Sequence, residues 1–171
     1  MSDKVFNNFP TNFFVRFLIE AKKQTYANSN AEKIKSSRLG SKDYHYEKEI
    51  EGEIMRYHDT YFGGVRFIGE EVVYCGADVP KWAMNYYGVT IDENLSEDAM
   101  DKALRPALMR VGEDDTVLPV RGPSKFENDV YTYIFTCEGK IENFTGIEEI
   151  YLDKKLVYRL HCHGGIIEWM D

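Results

Sequence analysis

The chain has 171 residues, 43% of them hydrophobic, a size and composition that suit one globular domain burying about two-thirds of its unfolded surface. Its 29 acidic residues outnumber 21 basic ones and leave a net charge of −8, a field that repels polyanions and argues against a direct hold on nucleic acid or on an anionic membrane. The three cysteines, Cys75, Cys137 and Cys162, form no CxxC pair and no even disulfide set, and no apolar run reaches the ~18 residues of a membrane span, so the expected setting is cytoplasmic with reduced thiols.

Taken in chain order, residues 11–26 place Phe14, Phe17, Leu18 and Ala21 at helical spacing, with Thr11 as candidate N-cap and Lys22 and Lys23 in the last turns. This predicts an amphipathic helix lying across a sheet. Residues 28–42 turn small, polar and basic, which predicts a mobile surface loop whose Lys33, Lys35, Arg38 and Lys42 could close over an anion. Strands are expected at 43–50 and 53–59 around Glu51-Gly52, and at 65–75 and 81–88 around a turn from Gly76 to Pro80. In the last of these Trp82, Met84 and Tyr86 share one face while Ala83, Asn85 and Tyr87 share the other.

Residues 96–111 follow as a second helix, with Ser96 as N-cap and Pro106 inside it as a kink or a break. After a loop come strands at 129–137 and 140–145, turning at Glu138-Gly139, then 147–152 and 155–163, turning at Asp153-Lys154. The expected fold class is α+β: one domain over 1–171, a mostly antiparallel curved meander sheet packed on the N-terminal helix, with a second short helix.

Candidate chemistry gathers in two places. On the last strand Leu156, Tyr158, Leu160 and Cys162 make an apolar face, so Arg159, His161 and His163 share the opposite one, with Glu148 expected directly across from Arg159. Two imidazoles two positions apart can chelate a transition metal if Glu148, His58 or Asp59 supplies a third ligand; otherwise no cofactor is expected. The second place is the stretch from Tyr57 to Tyr87. There His58 and Asp59 could act as base and orienter only where the chain turns, because neighbours on a strand point apart. Arg66, and Arg121 further along, are candidate anion binders. No GxGxxG, Walker or GxSxG pattern occurs.

The segments FLIEAKKQTYA at 17–27, SRLGSKDYHYE at 37–47, YHDTYFGGVRFIGEEVVY at 57–74, WAMNYYG at 82–88, VRGP at 120–123 and GIEEIYLDKKLVYRLHCHGG at 146–165 together resemble an uncharacterised bacterial domain family. That family occurs alone or behind an Xre-type helix-turn-helix. The resemblance implies a sensor or effector domain associated with transcription regulation, and it brings no catalytic residues with it. The residues before Thr11 are too few for a helix-turn-helix, so direct DNA binding is not expected here.

The leading expectation is therefore a small-molecule-binding domain with a polar-aromatic cleft, its ligand an anionic one among the candidates. Arg66, Trp82, Asn85, Tyr87 and His161 would form the wall, with Tyr57 and His58 at the mouth and Arg121 nearby. The alternative is a metal-assisted or histidine-dependent hydrolase-like enzyme drawing on His161, His163, Glu148, His58 or Asp59. A third reading is an interaction protein, either a homodimer paired through a sheet edge or the partner of a regulator.

Overall fold

Alternation of buried and exposed side chains from residue 42 onward becomes one open antiparallel sheet in the computed structural model, which describes residues 4–6, 9–76 and 78–170. A small ribbon of β1 (Lys4–Phe6) and β2 (Phe9–Pro10) leads into α1 (Thr11–Gln24). Four strands follow as a meander, β3 (Lys42–Ile50), β4 (Glu53–Gly63), β5 (Arg66–Cys75) and β6 (Pro80–Thr90). The second meander is β7 (Lys125–Asn128), β8 (Tyr131–Lys140), β9 (Asn143–Leu152) and β10 (Lys155–Ile166). Pairing of β6 with β10 joins them into eight strands in the order β3-β4-β5-β6-β10-β9-β8-β7. The expected α+β class, with a helix on an antiparallel sheet and a second short helix, is what the chain adopts.

One sheet face is covered. α1 buries Phe14, Phe17, Leu18 and Ala21 on it, and the same stripe takes in a buried Lys22, four residues after Leu18. Trp82 lies at the centre of this core: its ring stacks on Phe144 at 5.9 Å, meets Phe14 at 5.7 Å, and its Nε1 donates to the carbonyl of Ile141 at 2.9 Å. Trp82 is thus a packing residue with its single donor satisfied, not the cleft wall expected of it.

Pro106 splits the second helical segment, as one of its two expected outcomes. α2 (Ser96–Ala99) passes through a π turn at Met100–Leu104 into α3 (Arg105–Leu108). Proline has no N–H to give the carbonyl four residues back, which is that of Lys102. Asn128 Nδ2 fills the vacancy, donating to Lys102 O at 2.6 Å.

One turn and one register of the second meander depart from expectation. Gly139 does take a left-handed φ of +97°, but it pairs with Phe144 inside the β8–β9 ladder, and the chain reverses at residues 141–142 instead. What was expected as two strands, 140–145 and 147–152, is therefore the single strand β9. Before β10 the Asp153-Lys154 turn holds, yet a bulge between Leu156 and Tyr158 leaves Val157 without a partner on β9, its carbonyl instead accepting from Ile91 N at 2.7 Å. That one extra residue moves the register, so Glu148 faces Leu160 while Glu149 faces Arg159.

Candidate functional site

The covered face of the sheet does not close completely on its helices. A cavity of about 330 Å³ remains between β4–β6, α1 and the segment running from Met100 to Arg121. Its deep wall carries Lys22, Tyr57, Asp59, Glu71, Tyr86 and Arg121; Leu104, Leu108, Val111 and Val120 form the apolar side. Lys42, Gly63, Gly64, Glu97 and Arg105 stand around the mouth.

Strand geometry dictates who meets whom inside. Asp59 of β4 is directly opposite Glu71 of β5, both on the covered face and both buried. Like charges placed across a ladder repel, and the structure relieves the conflict in two ways. Lys22, one turn after Leu18 on the buried stripe of α1, forms a buried ion pair with Glu71. Asp59 instead accepts a 2.7 Å hydrogen bond from the Tyr86 hydroxyl, and burial together with the facing Glu71 pushes its carboxyl up to about 7.

Beside them Glu148 is the hub of a second network. Arg121 grips it with two bonds, Nε to Oε2 at 2.9 Å and Nη2 to Oε1 at 2.7 Å. Tyr133 donates to Oε2 at 2.6 Å and Tyr158 to Oε1 at 2.9 Å. A buried charge is tolerable when its lone pairs are filled in this manner. The two networks touch where Arg121 Nη1 lies 3.9 Å from Glu71 Oε1. Burial raises the phenols of Tyr57, Tyr86, Tyr133 and Tyr158 well above their ordinary range, so each is a neutral donor here.

The opposite face is uncovered and holds the other half of the predicted residues. β4 runs unbroken through Tyr57, His58 and Asp59, so His58 points away from Asp59 and the two do not form a base and orienter pair. His58 Nε2 lies 2.7 Å from Oδ2 of Asp43. Burial alone would raise the Asp43 carboxyl, but bonds from Ser37, Ser41, His58 and Thr60 outweigh it and hold the group below the usual carboxylate range. Those serines also tie residues 36–41 to the sheet, as does the pairing of Arg38 with Glu70.

Further along that face Asn85, Tyr87, His161 and His163 line an open groove of about 470 Å³ with Ile68 and Glu70. Arg66 is exposed on the same side. The register shift that turned Glu148 inward removes it from the two histidines: Glu149 takes its place and is held by Arg159 at 2.6 and 2.8 Å. Among the described residues no three His, Cys, Asp or Glu side chains gather in a metal-binding arrangement.

The structure therefore divides the predicted site between two faces. Tyr57, Asp59, Arg121 and Glu148 reach the cavity or its hydrogen-bonded wall, Trp82 belongs to the core, and His58, Arg66, Asn85, Tyr87, His161 and His163 lie on the uncovered face. Residues that sequence reasoning passed over as site members are Lys22, Glu71, Tyr86, Tyr133 and Tyr158. Their signal was one of phase: Lys22 continues the i, i+4 stripe of α1, and Glu71 alternates with Phe67 and Val73 on a buried strand face.

Comparison with known proteins adds a family to this geometry. The family model described as Domain of unknown function (DUF5680) matches residues 59–167, more than half of the chain, and the chain belongs to that family. No curated protein and no solved structure matches. The matched span includes Asp59, Glu71, Tyr86, Arg121 and Glu148, while Lys22 lies before it.

Proposed function

We propose that this member of the DUF5680 family is a small-molecule-binding domain, a sensor or effector, whose ligand enters the cavity between the sheet and α1. One observation carries the reading: ionisable side chains that would ordinarily be driven to the surface are buried around a space of about 330 Å³ that opens at Lys42 and Gly64. Burying charges costs several kcal/mol per ion before pairing recovers it. A core serving stability alone would fill such a space with aliphatic side chains. Convergent polar groups in an apolar cavity are the usual makings of a ligand site.

Native mass spectrometry of the freshly purified chain, repeated on Leu104→Trp, tests this. Leu104 is a buried apolar lining residue, and tryptophan there would occupy the cavity. The expected result is an organic adduct, or a small-molecule-induced rise in melting temperature, that the folded variant loses. An adduct held equally by the variant would place the ligand elsewhere.

A second reading, a protein-interaction partner, draws on the uncovered face. Ile68, Tyr87, His161 and Ile147 follow one another across β5, β6, β10 and β9, with Ile68 55%, Tyr87 47% and Ile147 39% exposed. Concentration-dependent association in sedimentation, abolished by Ile68→Lys, would favour it.

A further inference from the structure

We propose that the cavity takes a small organic cation, an ammonium group on a single-ring body, with the ammonium seated against Asp59. This rests on the cavity being a ligand site, and it names the chemical class that site accepts.

Lys22 is paired with Glu71, Arg121 with Glu148, and Arg105 with Asp101, so each of these cations already has a carboxylate. Asp59 has none. It is 3% exposed, lines the cavity, and receives a hydrogen bond from Tyr86, with no ion pair reaching it among the described residues. With Asp59 ionised the deep wall carries one surplus negative charge. An empty cavity cancels it with a proton, and a bound ammonium would take that proton's place.

The groups facing Asp59 agree. Glu71 on β5 repels a second anion; Lys22 on α1 and Arg121 attract Asp59 but are engaged by Glu71 and Glu148. Tyr86 on β6, and Tyr57 and Tyr61 on its own strand, are neutral phenols, as are the nearby Tyr26 and Tyr44. The ring faces already receive cations: Lys22 Nζ lies 6.0 Å from the Tyr57 centroid and Arg121 Cζ 5.9 Å from that of Tyr86. Among the described residues, the lining cation with no carboxylate partner is Lys42, which stands at the exposed rim over Tyr61. A carboxylate or phosphate ligand could meet it there but would bring a second acid towards Asp59. In size, a cavity of about 330 Å³ is roughly twice the ~150 Å³ space known to hold benzene, room for one ring and a short chain.

The test is isothermal titration of the full chain with three probes of equal size: phenethylamine, 2-phenylethanol and phenylacetate. Phenethylamine should bind at least ten-fold more tightly than either. Because it displaces a proton from a group titrating near 7, it should release about half a proton per molecule at pH 7, and bind about ten-fold more tightly at pH 8 than at pH 6. Proton release is read from buffers of differing ionisation enthalpy on the unaltered chain, so it does not depend on a variant folding. Asp59→Asn, which keeps an acceptor for Tyr86, should lose the preference and the proton release while retaining 2-phenylethanol. Tighter binding of the alcohol or of phenylacetate would overturn the cation class and leave the cavity as a ligand site. Failure of all three probes at millimolar concentration would overturn both.

Discussion

Tyr86 on β6 reaches across β5 to donate a 2.7 Å hydrogen bond to Asp59 on β4, and it can do so because position 69, lying between them, is glycine. A Cβ built on Gly69 would stand 2.5 Å from the Tyr86 hydroxyl and 2.6 Å from the backbone oxygen of Thr60. A buried acid is thus oriented by a phenol two strands away, through a gap left by a missing side chain.

Gly69→Ala is accordingly expected to destabilise the fold by about 1–3 kcal/mol, the usual cost of overpacking a filled interior. Urea denaturation measures it. A variant as stable as the parent would mean that Tyr86 moves aside freely and that its bond to Asp59 holds little.

Asp59 should leave a mark on the pH dependence of stability. Its carboxyl titrates near 7 in the folded chain against a reference of 3.8, so folding takes up a proton between those values. Stability from this group is fully present below about pH 4 and is lost as pH rises through about 7, by on the order of 4 kcal/mol. Asp43, held low by its hydrogen bonds, acts in the opposite sense and loses its contribution as pH falls below the ordinary carboxylate range. The informative quantity is therefore the difference between the parent and Asp59→Asn in denaturation midpoints from pH 4.5 to 8. Parallel curves would count against the assignment.

The Arg121 and Glu148 pair invites a double-mutant cycle. Glu148→Leu alone strands a buried guanidinium and should cost about 3–5 kcal/mol, as should Arg121→Met, which strands the carboxylate. The double variant should cost less than the sum by a kcal/mol or more, since neither charge is then left alone. Additive losses would show that Tyr133 and Tyr158, rather than Arg121, satisfy Glu148.

His161→Ala and His163→Ala, on the uncovered face, are expected to change stability by no more than about 0.5 kcal/mol and to leave cavity binding untouched. Added zinc should not raise the melting temperature of the parent. A zinc-dependent rise lost in either variant would restore a metal role for this pair, with a ligand other than Glu148.

Much of the architecture is legible in the sequence. Period-two alternation located most of the strands, although β7 falls at the end of an expected loop and β9 was divided in two; the i, i+4 stripe located α1, and Pro106 announced a break, because all three signals depend on local geometry and on the partition of apolar side chains from water. The phase of residues 158–163 was also correct: Tyr158, Leu160 and Cys162 are buried while Arg159, His161 and His163 are exposed.

What the sequence alone left undecided was which sheet face would be covered and how strands would align. Phase within one strand separates His58 from Asp59, but whether Asp59 meets Glu71, or Glu148 meets Arg121, depends on registers set between strands distant in the chain. A single bulged residue, Val157, turned Glu148 from the histidines to the arginine. The sequence by itself determined most of the elements and the two sides of their strands. Only the tertiary structure decided which sides would gather around a common cavity, because burial is a property of the faces brought together and not of any residue alone.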